Sequence, residues 1–114
     1  MQFKQKVTIT KAGHIALNKA CMEKHVLPEH EAAILYWDEE NRKIGIALTA
    51  ETESAGAIRL RRLLSGGGDI AALAFLRCYG LVGHKLHTGP VALEQTEHGE
   101  MIVVCLAHEG GRTP

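Results

Sequence analysis

Two groups of basic side chains are the residues of this sequence with the clearest capacity for chemistry. Residues 1–28 hold five lysines and one glutamate, and residues 54–92 hold five basic residues and one aspartate. Lysine and arginine attract nucleic-acid phosphates, because their binding releases condensed counterions. If the fold joins the two groups, they form a phosphate-binding patch. The side chains expected to build it are Lys4, Lys6, Lys11, Lys19, Lys24, Arg59, Arg61 and Arg62.

The charge balance limits what this patch can bind. Basic and acidic side chains both number 13, so the formal net charge is zero and a globally basic nucleic-acid binder is excluded. The large aromatic residues Tyr36, Trp37, Phe75 and Tyr79 lie away from the basic side chains. Since single strands are bound by stacking on aromatic rings, duplex DNA is the expected nucleic-acid partner. The alternative is that the basic blocks pair with the acidic residues of 29–53 and 93–114.

Histidine is abundant enough to raise the question of a metal site. Cys21 and His25 are four residues apart and can share one helix face, but a zinc site needs three or four ligands. The sequence contains neither a His-Glu-x-x-His nor a Cys-x-x-Cys motif. We therefore predict no metal and no cofactor. The histidines are His14, His25, His30, His84, His87, His98 and His108.

The three cysteines predict neither a disulfide framework nor a nucleophile. Cys78 and Cys105 stand in apolar segments, and Cys21 stands in a helical one, so we expect all three in the core. An odd number of widely spaced cysteines favours a reduced cytoplasm. The longest fully apolar run, residues 101–107, is too short to span a membrane, and the sequence begins without an apolar signal segment.

A glycine run resembles an anion-binding loop in outline only. Ser65 to Asp69 reads Ser-Gly-Gly-Gly-Asp, without a Gly-Lys-Ser/Thr ending and without Gly-x-Gly-x-x-Gly spacing. Asp69 at a helix N-terminus would repel phosphate. We predict a flexible connector, with Asp69 capping the helix that follows. No other cluster predicts catalytic residues, so enzymatic activity has the least support.

Period-two apolar patterns and helix caps predict the elements that carry these residues. Asn18 caps a first helix ending near His25, and a second, almost wholly apolar helix covers 70–79. The expected fold is α+β, with mostly antiparallel strands and two helices, the second buried and central. The predicted strands are 7–10, 14–17, 32–37, 43–48, 57–61, 91–95 and 101–107, the last of them an inner strand.

The length predicts one domain, residues 1–109, with sub-halves 1–49 and 57–109 and a flexible tail at 110–114. The polar connector between the sub-halves covers residues 50–56. No repeat longer than a hairpin is evident in the sequence.

The first half follows a familiar order of strand, Lys-Gly-type turn, strand, short helix and hairpin. Its opening, Val7-Thr8-Ile9-Thr10-Lys11-Ala12-Gly13-His14-Ile15-Ala16-Leu17-Asn18-Lys19, resembles that of AbrB/SpoVT-type (MraZ-like) swapped-hairpin transcription regulators. Their pattern is roughly T-V-T-x-K-G-Q-[IV]-T-[IL]-P-K. The resemblance covers residues 4–48. Ala12 is inserted, His14 stands in place of Gln, Asn18 replaces Pro, and residues 29–31 lack the family's Gly-Asp.

This resemblance implies an intertwined homodimer that contacts DNA through its basic N-terminal face. The matching positions are Lys11, His14 and Lys19. Together with the basic groups, it predicts a small, non-enzymatic, cytoplasmic DNA-binding regulator that acts as a homodimer. The alternative function is a protein-interaction or assembly module that binds no nucleic acid.

Overall fold

The computed structural model describes residues 4–82 and 88–106, and in these ranges the chain forms eight strands and two short helices. β1, β2 and β6 alternate buried and more exposed side chains, as strands with one face on the core do. The elements are β1 (Val7–Ile9), β2 (His14–Leu17), α1 (Lys19–His25), β3 (Ala32–Asp38), β4 (Lys43–Thr49), β5 (Ala57–Arg62), β6 (Gly68–Ala71), α2 (Leu73–Cys78), β7 (Thr88–Thr96) and β8 (Gly99–Leu106).

All strand pairs are antiparallel, and together they form a nearly closed barrel. The strand order is β1-β2-β6-β5-β3-β4-β8-β7, so β1, β2, β6 and β5 make one wall and the other four strands make the second. At the remaining seam β1 lies beside β7, and the hydroxyl of Thr88 donates to the carbonyl oxygen of Val7 at 2.6 Å. The inward side chains form one apolar core that includes Ile9, Ile15, Ile44, Ile70, Leu76 and Val104.

The barrel is built from one unit used twice. The order strand, strand, helix, strand, strand runs from β1 to β4 and again from β5 to β8. Exchanging the two units carries every ladder except β3–β5 onto another ladder or onto itself, and it carries the β3–β5 ladder onto the β1–β7 seam. The absence of a long repeat in the sequence was therefore misleading. An approximate two-fold relation exists in the fold, although the two halves share little sequence.

The first hairpin turn of each unit shows this relation in detail. The N–H of Gly13 donates to the carbonyl of Thr10 at 3.0 Å, and the N–H of Gly66 donates to that of Leu63 at 2.9 Å. Both glycines have a positive φ, 94° and 99°, which side-chain-bearing residues rarely adopt. The two turns are thus the same structure, and each requires its glycine.

Each helix begins on the turn of the other unit. A Cβ at Gly13 would stand 2.7 Å from Cδ1 of Leu73, the first residue of α2. A Cβ at Gly66 would stand 2.9 Å from Cγ of Lys19, the first residue of α1. The glycines therefore also make room for the helices, and the two units are interlocked at both ends of this wall.

The prediction of a buried central helix over 70–79 is wrong. Its first part is instead β6, in which Ile70 is fully buried and lies opposite Ile15 of β2. The helix that remains, α2, has six residues, and Leu76 is its one buried side chain. Residues 68–71 lie between β2 and β5, and both of these strands have an open edge there. Pairing with the two edges outweighs the local helix propensity of the segment.

The glycine run is likewise not a flexible connector. Gly66 and Gly67 belong to the ordered β5–β6 turn, and Gly68 is the first residue of β6. Asp69 does not cap α2, whose N-cap position is held by Ala72 without a side-chain hydrogen bond. Asp69 instead projects from the outer surface of β6.

The first helix and the hairpins were predicted correctly. The Asn18 side chain accepts from the N–H of Cys21 at 2.9 Å and also receives the N–H of Lys6 at 3.0 Å. β8 is an inner strand between β4 and β7, with Met101 to Val104 all buried. Leu27 is 51% exposed, because the chain turns away after α1. The single domain and its sub-halves stay predictions, and residues 110–114 lie outside the described part.

The structure buries one of the three cysteines, whereas all three were predicted to lie in the core. Cys21 is buried as expected, and burial raises its pKa from 9.0 to about 11. Cys78 and Cys105 are exposed, so their placement in the core was wrong. Cys78 lies on the solvent side of α2, and Cys105 lies on the outer side of β8.

This division predicts two classes of thiol reactivity. At pH 8 a native-state titration with a disulfide reagent should modify Cys78 and Cys105 fast and Cys21 at least roughly a hundredfold more slowly, since its thiolate is scarcer by that factor. A Cys21→Ala variant should lose the slow phase only. Three equal rates in the folded protein would contradict the burial of Cys21.

Candidate functional site

The outer surface of β2, β6 and β5 brings the two predicted basic groups together. His14, Asp69 and Arg61 all project outward, because they alternate along their strands with the buried residues of the core. Exposed Lys6 precedes β1, exposed Lys11 lies in the β1–β2 turn, and exposed Arg59 lies on β5. We name this surface the basic face and define it as Lys6, Lys11, His14, Arg59 and Arg61.

Asp69 is the residue that joins the two groups. Nδ1 of His14 lies 3.0 Å from Oδ2 of Asp69, and the guanidinium of Arg61 lies 3.5 Å from the same oxygen. The Asp69 side chain is only 13% exposed, whereas that of Arg61 is 70% exposed. The carboxylate therefore holds an imidazole from the first half and a guanidinium from the second, and it leaves the guanidinium open to solvent.

The other ion pairs on this side are loose. Arg59 lies 3.7 Å from Glu31, and both side chains are more than half exposed. Lys19 lies 4.0 Å from Glu23 one helical turn away. Exposed pairs of this kind contribute about 0–1 kcal/mol and do not fix their side chains. Arg59 thus remains accessible to a phosphate.

Lys4, Lys6, Lys11 and Lys24 take part in none of the ion pairs formed between described residues. All four side chains are exposed. Their ammonium groups therefore face solvent without a carboxylate neighbour from the described part of the chain.

Arg62 is used differently from its neighbours on β5. Its Nη2 donates to the carbonyl oxygen of His30 at 2.6 Å and to that of Leu27 at 3.1 Å. A third carbonyl, that of Pro28, lies 3.4 Å away. This guanidinium holds the loop after α1 in place, so we leave Arg62 out of the basic face.

The lysines of α1 also lie apart from the basic face. The aliphatic part of Lys19 covers Gly66 in the β5–β6 turn, and Lys24 lines a cleft at the other end of the helix. Lys4 precedes β1, where its carbonyl accepts from the Asn18 side chain at 2.8 Å. Among the predicted residues, contacts through Asp69 thus join His14 and Arg61, whereas Lys19 and Lys24 lie apart from them.

Sequence reasoning found the cations but missed Asp69 as their common partner. A single aspartate after three glycines is typical of a helix cap, and nothing near it in the sequence indicates His14 or Arg61. The contact depends on the register of β2 with β6 and of β6 with β5, in which Asp69 lies opposite both Ala16 and Arg61.

The remaining histidines in the described ranges have structural partners. Nε2 of His25 lies 2.6 Å from Oε1 of Gln5, and Nδ1 of His30 accepts from the N–H of Leu27 at 3.1 Å. His98 stacks on Tyr36 with ring centroids 4.4 Å apart. His84, His87 and His108 lie outside the described residues.

Residues 4–82 and 88–106 hold neither a metal-binding group of side chains nor a helix that could cross a membrane. Within these ranges no three His, Cys, Asp or Glu side chains are grouped so that they could hold a metal ion. Neither of the two described helices is long and apolar enough to cross a membrane.

Comparison with protein-family models, with curated proteins and with solved structures found no match.

Proposed function

We propose that this protein is a non-enzymatic DNA-binding regulator that binds the phosphates of duplex DNA through its basic face. The observation that supports this most is the shared contact of His14 and Arg61 with Asp69. It places cations from both halves of the chain on one surface. Phosphate contacts of this kind provide affinity and position the protein but carry little sequence information.

The electrostatics of the basic face suit a polyanion. Asp69 contributes one negative charge and is mostly buried, while the cations around it are exposed. Tyr36 and Trp37 lie on β3, in the opposite wall. Since the face has no aromatic member on which bases could stack, a duplex backbone is favoured over a single strand.

The approximate two-fold relation gives the basic face a matched pair of cations. Thr10 and Leu63 occupy the same position in the two related turns. Lys6 precedes Thr10 by the same number of residues as Arg59 precedes Leu63, so these two cations are equivalent. A duplex presents two backbones that are also related by two-fold axes. The arrangement therefore fits two strands of one duplex.

The homodimer stays a prediction, but the proposal does not depend on it. A short hairpin such as β1–β2 is only marginally stable alone and needs further strands as partners. The structure provides such a partner within the chain, because β6 pairs with β2. One chain thus supplies both hairpins of the basic face.

The second candidate function is a protein-interaction module. Its support is the tip of the β5–β6 turn, where Leu64 is fully exposed and Leu63 is 40% exposed. Large apolar side chains that project from a turn are typical of contact with another protein. In this case the basic residues serve solubility, and Asp69 and Glu31 serve to neutralise them.

The deciding experiment is a fluorescence-anisotropy titration of a random-sequence duplex at several salt concentrations. We expect wild-type binding with a dissociation constant on the order of 10⁻⁴–10⁻⁶ M at physiological salt, tightening as salt falls. The Lys6→Ala, Arg61→Ala double variant should weaken binding to every duplex about equally. The slope of log K against log salt should become shallower by about 2, one unit for each lost phosphate contact.

Lys43→Ala is the matched control. Lys43 is a partly exposed lysine on the opposite wall, where it lies 3.3 Å from Glu94, so its loss should leave the slope unchanged. If wild-type protein does not bind duplex DNA at low salt and tens of micromolar, the regulator proposal is wrong. A Leu63→Ser, Leu64→Ser variant that abolishes self-association or partner binding would then support the interaction module.

A further inference from the structure

One end of the second barrel wall is open, and this opening is separate from the basic face. The ladder between β4 and β8 ends at the pair Ile46–Ile102. Beyond this pair β4 continues to Thr49, while β8 begins at Gly99. The two strands therefore separate, and a cleft of about 490 Å³ lies between them and the C-terminal end of α1. This volume is in the range of small-molecule sites.

Apolar side chains form part of the lining of the cleft. Leu48 lines it and is partly exposed, whereas the neighbouring Ile46 and Ile102 are buried and present almost no surface to it. Leu27 and Leu93 also line the cleft, although they are 51% and 47% exposed. These two are among the most exposed large apolar side chains of the described residues. An apolar ligand in the cleft would remove both from water, since burying such surface is favourable.

The polar groups of the cleft are mainly hydrogen-bond donors. Because Nδ1 of His30 accepts the backbone N–H of Leu27, the neutral ring carries its proton on Nε2 and offers it as a donor. Lys24 adds an exposed ammonium. Burial is the main cause that lowers the pKa of His25, and the charge of Lys24 lowers it further. The nearby charge of Glu100 raises it, but by less. The lowered pKa favours the neutral form of His25.

One acid, Glu100, is present among the lining residues. It is exposed, and its Oε2 accepts from Nε2 of Gln95 at 3.3 Å. His98, the remaining titratable lining residue, is stacked on Tyr36 and lies 3.4 Å from Glu97. The open donors of Lys24 and His30 thus favour a ligand with an anionic acceptor over one with a cation.

We infer that this cleft binds a small molecule that has a short hydrocarbon chain and one carboxylate. The chain packs against Leu48 between Leu27 and Leu93, and the carboxylate accepts from the Lys24 ammonium and from Nε2–H of His30. The inference is independent of the proposed DNA binding, because no member of the basic face lines the cleft.

The test is a titration of the full-length protein with octanoate, followed through its backbone amide NMR signals. We expect saturable binding at low millimolar octanoate, with the largest shifts at Ala47, Leu48, Gly99 and Glu100. 1-Octanol should bind at the same amides more weakly, and octyltrimethylammonium more weakly still. Absence of binding, shifts confined to other regions, or equal affinity for the cationic probe would overturn the inference.

Two variants test separately the contact of Lys24 with the carboxylate and the binding of the hydrocarbon chain in the cleft. Lys24→Gln, on the exposed side of α1, should weaken octanoate binding about tenfold, as for the loss of a charged hydrogen bond, and leave 1-octanol unchanged. Ala47→Phe should fill the cleft and abolish binding of both probes. Unaltered octanoate affinity in Lys24→Gln would overturn the assignment of the carboxylate, whether or not Ala47→Phe folds.

Discussion

Replacing Gly13 with alanine is expected to lower the free energy of unfolding by about 3 kcal/mol. The φ of Gly13 is 94°, a conformation that strains any residue with a Cβ. The added methyl group would also stand 2.7 Å from Cδ1 and 3.0 Å from Cα of Leu73. The second distance cannot be relieved by a new rotamer, because it involves backbone. The turn or α2 must therefore shift.

Gly99→Ala is the matched control for this effect. Gly99 has nearly the same φ, 91°, but apart from its two chain neighbours no atom of the described residues lies within 4 Å of its added Cβ. Its variant should lose only the conformational contribution, about 1 kcal/mol. Urea unfolding of the two variants measures the difference. Equal losses would show that α2 does not press on the β1–β2 turn.

Truncating Leu76 to alanine is expected to cost about 3 kcal/mol, because Leu76 is fully buried and joins α2 to the core. The neighbouring Phe75 is half-buried and packs edge-on against exposed Tyr79, with ring centroids 5.2 Å apart. A central helix would have made Phe75 the costlier loss. In the observed fold Phe75→Ala should cost about half as much as Leu76→Ala, since a rim side chain leaves no closed cavity.

Urea unfolding with a common slope for wild type and variants provides the comparison. A larger loss for Phe75→Ala than for Leu76→Ala would contradict the peripheral position of α2. Leu73→Ala, which truncates a side chain 38% exposed on the same helix, tests whether the effect follows burial.

The parts of the fold that the sequence predicts are those with local causes. β1 and β2 alternate apolar and polar residues around a glycine turn, and Asn18 provides a side-chain cap for α1. These signals operate within a few residues, and the structure confirms them. The β3–β4 hairpin was found for the same reason.

β6 was missed because its reason lies far away in the chain. Its four residues, Gly68 to Ala71, include glycine, aspartate and alanine, which have low strand propensity. They form a strand because β2 and β5 flank the space on both sides. The candidate site shows the same division. Its cations were evident from composition, while the contact of Asp69 with His14 and Arg61 required a register that no local pattern encodes.

The interleaving of the two units has a consequence for how the chain reaches its native state. The two central ladders, β2 with β6 and β4 with β8, each join strands from different halves. Neither half can close its own barrel wall, so little native surface is buried until both are present. Loop-closure entropy must be overcome before these distant contacts form, which places the chain among slow-folding β proteins, on the order of milliseconds to seconds. During synthesis the edges of β2 and β4 therefore stay unpaired until the second half of the chain has been made.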